Sequence, residues 1–289
     1  MCSNPPGYEK EKGHDFKNLV LRFQKINPKE TEIYLTGGEP TLHPQFFKLL
    51  TILRKRCPRA KIILDTNGRM FFYRDFLKKC LGYGNLEFQV SLCAHTASLH
   101  DKITQTKGSF EQTVGGIKNL LSLKSAGNEV EIRVVIHKLT LPHLKEIYDF
   151  VAKNFPRITR LIFIFMEMEG RAQKNIEKVG ITYKKARPHL ENLFKKIRNS
   201  SFEVRLYHFP LCVLPSKFWP CLWRTLPEKE IAFLKKCNQC LYRKYCPGIH
   251  RDYLKIIGEK EFWPLRKKVK IQKTNNFYHP IKSVSKNAS

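Results

Sequence analysis

Three cysteines, Cys237, Cys240 and Cys246, stand as C-x2-C-x5-C within CNQCLYRKYC. A C-x2-C pair brings two thiolates onto one metal from a tight turn, and the third follows after a short loop. Thiolates at this spacing ligate zinc in a tetrahedral site or an iron–sulfur cluster. Either needs a fourth ligand, and Cys212 and Cys221 are the nearby candidates. A second constellation lies in EIYLTGGEPTLHP, residues 32–44. Thr36, Gly37, Gly38, Glu39 and Pro40 follow an apolar-alternating run. Two glycines let a backbone approach a ligand closely. Glu39 adds negative charge beside exposed carbonyls, a combination that prefers a cation such as an ammonium group. No Lys-Ser/Thr follows, which argues against a phosphate loop. The same residues also read as a tight turn capped by a carboxylate.

The elements that must position these residues alternate. Strands are expected at 32–36, 60–66, 87–92, 129–137 and 159–166. Helices are expected at 44–57, where Phe46, Leu49, Leu50 and Leu53 share a face, and at 110–126, 141–154 and 183–199. Ser109 and Gln112 stand at capping-box spacing, and Pro188 disturbs the start of the last helix. A further helix precedes the first strand, with Phe16, Leu19, Val20, Phe23 and Ile26 on its apolar face. Strands alternating with helices of this length make βα units and a parallel sheet, so the class is α/β. The motif at 36–40 then falls at the C-terminal end of a parallel strand, the edge where α/β proteins bind ligands. A parallel array normally opens with a strand, and here that strand is absent. Three segments are expected: 1–200 as the core, 201–265 as a small Cys-rich domain, and 266–289 as a basic tail without regular structure.

The 289 residues are 42% hydrophobic, enough for a large core. No apolar run approaches the roughly 18 residues of a membrane helix. The N-terminus MCSNPPGYEKEKGHD lacks an apolar h-region, so the expected compartment is the cytoplasm. There nine cysteines point to metal ligands before disulfides. The net charge of +28 attracts nucleic acid or acidic partners, or else reflects lysines spread over solvated helix faces. No Ser/His/Asp set and no H-E-x-x-H site is present. His95, His100 and His137 read as ordinary polar residues, and Cys57, Cys80 and Cys93 as buried structural thiols.

LTGGEPTLHPQF resembles the GGE motif of the radical S-adenosylmethionine (SAM) superfamily. DTNG (65–68), VSLCAHTASLHDKITQTKGSFEQTVGGIKNL (90–120) and MEMEGRAQKN (166–175) match in the same order. The resemblance implies a partial (β/α)6 TIM barrel lacking its first strand, with a small Cys-rich C-terminal domain. It implies that the loop of Thr36, Gly37, Gly38 and Glu39 holds the amino group of S-adenosyl-L-methionine. Asn67, Ser91 and Arg133 are further cofactor-contact candidates, with Glu167 and Glu169 near the adenine. The family's C-x3-C-x2-C, which holds a [4Fe–4S] cluster, is absent, and Cys2 stands where its third cysteine would fall. This matches a late start or a truncation. YHFPLCVLPSKFWP followed by CNQCLYRKYCPGIHRDYLKIIGEKEFWPL is similar to the auxiliary-cluster (SPASM/twitch-like) region of peptide-modifying members, closest to His-Xaa-Ser peptide maturases. That similarity makes Cys212 the fourth ligand, with Cys237, Cys240 and Cys246, of an auxiliary [4Fe–4S] cluster.

The implied function is a radical enzyme, or a truncated form of one, that generates a 5′-deoxyadenosyl radical to modify a ribosomally made peptide. The implied partners are the peptide, a partner maturase and a reductant such as flavodoxin or ferredoxin. The catalytic residues stay unassigned. Two other readings stand beside it: a tRNA-modifying member of the superfamily, favoured by the charge, and a non-catalytic binding protein stapled by zinc.

Overall fold

The structure, a computed structural model, describes residues 15–125, 127–197 and 200–285. One sheet holds seven strands in sequential order: β1 (Glu32–Leu35), β2 (Lys61–Thr66), β3 (Leu86–Ser91), β4 (Glu129–Ile136), β5 (Arg160–Phe165), β6 (Glu203–Tyr207) and β7 (Leu222–Trp223). The pairs β1–β2, β2–β3, β3–β4 and β6–β7 are parallel. Parallel neighbours need crossovers, and helices supply them: α2 (Phe46–Arg56), α3 (Arg74–Leu81), α4 (Ala97–Thr104), α5 (Ser109–Leu123), α6 (Leu144–Asn154) and α9 (Tyr183–Ile197). Helix α1 (Phe16–Gln24) precedes β1, and two short helices, α7 (Gly170–Lys174) and α8 (Ile176–Val179), follow β5. This is the α/β class and partial barrel order read from the sequence. Among the described residues no helix is long and apolar enough to cross a membrane.

β6 and β7 extend the same sheet. The compact units are the residues up to Val134 with 150–161, and 135–149 with Ile162 onward.

In the first unit, strand period 2 divides the residues between two faces. Ile62, Leu64, Leu86, Phe88, Val90, Val130, Ile132 and Val134 are buried, as are Leu49, Leu50 and Leu53 of α2. The alternate positions carry Lys61, Asp65, Glu87, Gln89, Ser91, Glu129, Glu131 and Arg133. Parallel strands buried on both faces usually read as continuous apolar runs. Here the polar face is tied by ion pairs instead. Arg160 reaches Glu87 at 2.9 Å, Glu129 at 2.7 Å and Glu131 at 2.8 Å, and Lys61 reaches Glu129 at 2.8 Å.

The capping box expected at Ser109 does not form. Asp101 of α4 takes its place, accepting from the Gly108 N–H at 2.6 Å, the Ser109 hydroxyl at 2.8 Å and the Phe110 N–H at 2.9 Å. Gln112 instead accepts from the Arg69 guanidinium at 2.7 Å. Gly116 of α5 lies against the turn after β2, where a Cβ would sit 2.2 Å from the carbonyl oxygen of Gly68. Backbone cannot step aside as a side chain can, so Gly116→Ala should cost about 3 kcal/mol of stability. Urea unfolding measures this, and a loss under about 1 kcal/mol would contradict the contact.

In the second unit, α9 runs through Pro188 without breaking. Its first N–H groups are met by Glu261, which accepts from Lys184 at 2.8 Å and Tyr183 at 3.3 Å. The short strands β8 (Ile231–Ala232) and β9 (Ile249–His250) pair, and α10 (Arg251–Ile256) follows. The basic segment after 265 departs from its expected lack of structure. β10 (Ile271–Lys273) and β11 (Ile281–Val284) form an antiparallel hairpin. Its anchors are remote in sequence: His279 stacks on Trp223 at 4.5 Å, Ile281 is buried, and the Tyr242 hydroxyl meets the Val269 carbonyl at 3.0 Å.

Candidate cofactor site and cysteine centre

The loop after β1 is organised around one carboxylate. Glu39 Oε1 accepts from the Thr41 N–H at 3.2 Å, the Thr41 hydroxyl at 2.5 Å and the Thr66 hydroxyl at 2.8 Å. Glu39 Oε2 accepts from the Asn67 N–H at 2.7 Å. Glu39 therefore clips the loop after β1 to the loop after β2, the capped-turn reading of the motif. Among the described residues the Asn67 N–H is the donor to Oε2, which retains acceptor capacity toward a cation. Gly37 has φ +145°, a conformation that disfavours a side chain. A Cβ on Gly38 would meet nothing within 4 Å, so there is open space beside the loop.

The second loop is equally tied. The Thr66 hydroxyl accepts from the Gly68 N–H at 3.0 Å, and Asn67 Oδ1 accepts from the Arg69 N–H at 2.9 Å. The Thr113 hydroxyl of α5 donates to the Asn67 carbonyl at 3.0 Å. Asn67 is thus placed beside Glu39. Thr41, Thr66 and Thr113 hold the site together, and sequence reasoning did not single them out. For Thr41 and Thr66 the only sequence signal is position, at the GGE and DTNG turns; Thr113, in α5, carries none.

Ser91 and Arg133 are register partners in β3 and β4. The Thr36 hydroxyl donates to Asp65 Oδ2 at 3.3 Å, and Arg133 lies 3.9 Å from the same oxygen. Arg133 also pairs with Glu131 at 2.7 Å. Thr36 just after β1, Asp65 near the end of β2 and Arg133 within β4 therefore converge. Burial pushes His100 and His137 down to about 4, so both are neutral near pH 7, as ordinary structural histidines would be.

In the second unit Glu167 lies 3.8 Å from His208 Nδ1, which also meets the Phe165 carbonyl at 3.1 Å. His208 has φ +68°, uncommon for a non-glycine and a mark of functional positions. No sequence signal announces it. Burial raises the Glu169 carboxyl above its usual range, with His250 opposing.

Four thiols share one neighbourhood. Burial pushes Cys212 up to about 12, and the proximity of Cys246, Cys237 and Cys240 adds to that rise. Burial pushes Cys246 up to about 11, opposed by the N–H groups of Gly248 and Leu211 directed at its sulfur. The Trp263 N–H is directed at Cys212, and the Leu265 N–H meets Cys240 Sγ at 3.4 Å. Cys221 is pushed up to about 12 by burial and lies beside Glu203, not in this group. Among the described residues no three His, Cys, Asp or Glu side chains stand in metal-holding geometry. Backbone N–H groups are nonetheless aimed at three of the four thiols, Cys212, Cys240 and Cys246. Cys57 and Cys80 are buried, and Cys93 is half-buried just after β3. Cys2 lies outside the described residues. With no C-x3-C-x2-C in the sequence, the residues present do not fit a three-thiolate cluster.

Comparison with known proteins adds relatives. The AdoMet-dependent heme synthase of Oleidesulfovibrio alaskensis is 29% identical over 161 residues, 54% of this chain and 38% of that protein. The mycofactocin maturase MftC of Mycobacterium tuberculosis is 30% identical over 131 residues, 45% of this chain and 32% of that protein. The chain thus spans 38% of the length of the first relative and 32% of the second. A solved structure of native anSMEcpe with bound AdoMet and Kp18Cys peptide aligns with TM-score 0.49 and 18% identity, over 71% of this chain and 60% of that one. The model of the radical SAM superfamily matches residues 1–151, just over half of the 289. Match and motifs agree: the chain belongs to the radical SAM superfamily.

Proposed function

We propose that this chain binds S-adenosylmethionine, carries an auxiliary cluster and acts in the radical modification of a ribosomally made peptide. The observation that carries this reading is the gathering of Cys212, Cys237, Cys240 and Cys246, with backbone N–H groups directed at three of their sulfurs. Such donors stabilise charge on buried sulfur. Cys212, Cys237, Cys240 and Cys246 would hold a [4Fe–4S] cluster with no open iron, which would supply electron relay or brace the fold. The similarity to a maturase supports a peptide substrate. In this family S-adenosylmethionine supplies a 5′-deoxyadenosyl radical, which takes hydrogen from the substrate.

The chain's own part is to bind and orient. Glu39 and the carbonyls around Gly37 and Gly38 receive the cofactor's ammonium. Arg133, held by Glu131 and Asp65, faces its carboxylate, and Thr36, Asn67 and Ser91 line the same rim. Glu131 and Asp65 fix the guanidinium's direction before the ligand arrives, which reduces the ordering cost of binding.

Iron, sulfide and zinc content after anaerobic reconstitution tests the cysteine centre. About four irons per chain are expected, lost in Cys237→Ala. About one zinc without iron would make the centre a structural staple and favour the binding-protein reading. The radical reading fails separately if a longer chain carrying C-x3-C-x2-C makes no 5′-deoxyadenosine under reducing, oxygen-free conditions.

A further inference from the structure

The positive charge of this protein is not evenly spread. Residues 262–285 hold six Lys or Arg and no Asp or Glu. Arg266, Lys267, Lys268, Lys270, Lys273 and Lys282 are all exposed. Among the described residues none of the six sits in an ion pair with a carboxylate. A solvated helix face normally interleaves both signs, and this segment is a hairpin with one sign only.

The same segment exposes large aromatic rings. Trp263 is 67% exposed, Phe277 62% and Tyr278 60%. Each of the first two carries a cation over its ring: Lys236 at 5.0 Å from Trp263, and Arg224 at 4.9 Å from Phe277. Lys244 and Lys273 flank the Tyr245 ring at 5.1 and 5.5 Å. These rings are held in place rather than trailing. Arg224 bonds the carbonyls of Phe277, Lys244 and Cys246, and its N–H meets the Tyr278 carbonyl at 2.8 Å. One guanidinium therefore ties the hairpin tip to the cysteine loop. Leu241 N–H bonds the Leu265 carbonyl at 3.0 Å, fixing the strap that carries Trp263.

Exposed rings with cations beside them, on a one-sign surface, are the features that bind unpaired nucleic acid. Bases stack on the rings whatever their identity, and phosphates meet the lysines. A purely electrostatic site for an acidic peptide needs the lysines but not the rings. We propose that the surface formed by Trp263, Phe277, Tyr278 and the lysines of 266–273 binds single-stranded nucleic acid, independently of the cofactor site.

The test is fluorescence anisotropy on the full chain with a labelled oligouridine of about 12 nucleotides. Contact with about four phosphates predicts a loss of about 50-fold in affinity between about 50 and about 200 mM salt. Trp263→Ala and Phe277→Ala should each weaken binding about tenfold, because a stacked base is lost. Both side chains are mostly exposed, so these variants keep the fold, and thermal melts check that they do. Lys267→Glu with Lys268→Glu should weaken binding further and flatten the salt dependence. Three results would overturn the proposal: no saturable binding at low salt, equal affinity for duplex RNA, or an oligoglutamate that binds as tightly and is insensitive to Trp263→Ala. The last would make the surface a dock for an acidic peptide.

Discussion

Arg160→Met should destabilise the protein by about 3–5 kcal/mol at neutral pH, measured by urea unfolding. Arg160 is only 12% exposed and is shared by three carboxylates, Glu87, Glu129 and Glu131, at 2.7–2.9 Å. Burial alone would lower its pKa, but these carboxylates outweigh burial and raise it. Methionine matches the stem's volume and removes only the charge and its hydrogen bonds. The carboxylates are then left facing one another, with Lys61 beside Glu129 and Glu87, and Arg133 beside Glu131, as the remaining cations.

The pH dependence follows in sign. Burial would raise the Glu129 carboxyl, but Lys61 and Arg160 outweigh it and hold it below the usual range. A depressed carboxylate contributes stability above its unfolded pKa of about 4.3, lost as pH falls through the lower folded value. In Arg160→Met that contribution shrinks, and its stranded carboxylates gain from protonation. The gap between wild type and variant should therefore narrow below about pH 4. A gap below about 1 kcal/mol at pH 7, or one that widens in acid, would show that the network is not a shared ion cluster.

Glu39→Ala should both loosen the two loops and abolish tight S-adenosylmethionine binding. The carboxylate accepts from Thr41 twice, from Thr66 and from Asn67. Thr41 and Thr66 are buried, so their donors lose a partner that water does not easily replace. A hydrogen bond to a charged group contributes about 1.5–3 kcal/mol, and the stranded donors bring the expected loss to about 2–4 kcal/mol. Cofactor affinity, measured calorimetrically on folded protein, should fall at least about 100-fold, equivalent to about 2.7 kcal/mol. Glu39→Gln separates the two roles. It keeps the shape and part of the hydrogen bonding but removes the charge proposed to meet the ammonium. Affinity that survives Glu39→Gln would reduce Glu39 to a loop clip.

Strand and helix order was legible in this chain because it is written locally. The run EVEIRVVI at 129–136 shows its two faces through period 2 alone, and Leu49, Leu50 and Leu53 mark a helix face through period 3.6. The cysteine spacing and the two glycines before Glu39 were equally local, and they marked the candidate ligands. What came from far along the chain was not legible. Even a separation of eight residues hid a partner, since Asp101 of α4 caps α5 in place of Ser109 across the turn between the two helices. Arg160 answers carboxylates on β3 and β4, up to 73 positions away in sequence. The segment after 265 is basic enough to look unstructured. Trp223, Tyr242 and Arg224 give it partners that composition cannot reveal. The sequence by itself therefore determined the element types, the family and the chemistry of the candidate ligands. Only the tertiary structure decided which acceptor meets which donor: a residue's own type sets what it can bond, and the fold sets what lies within reach.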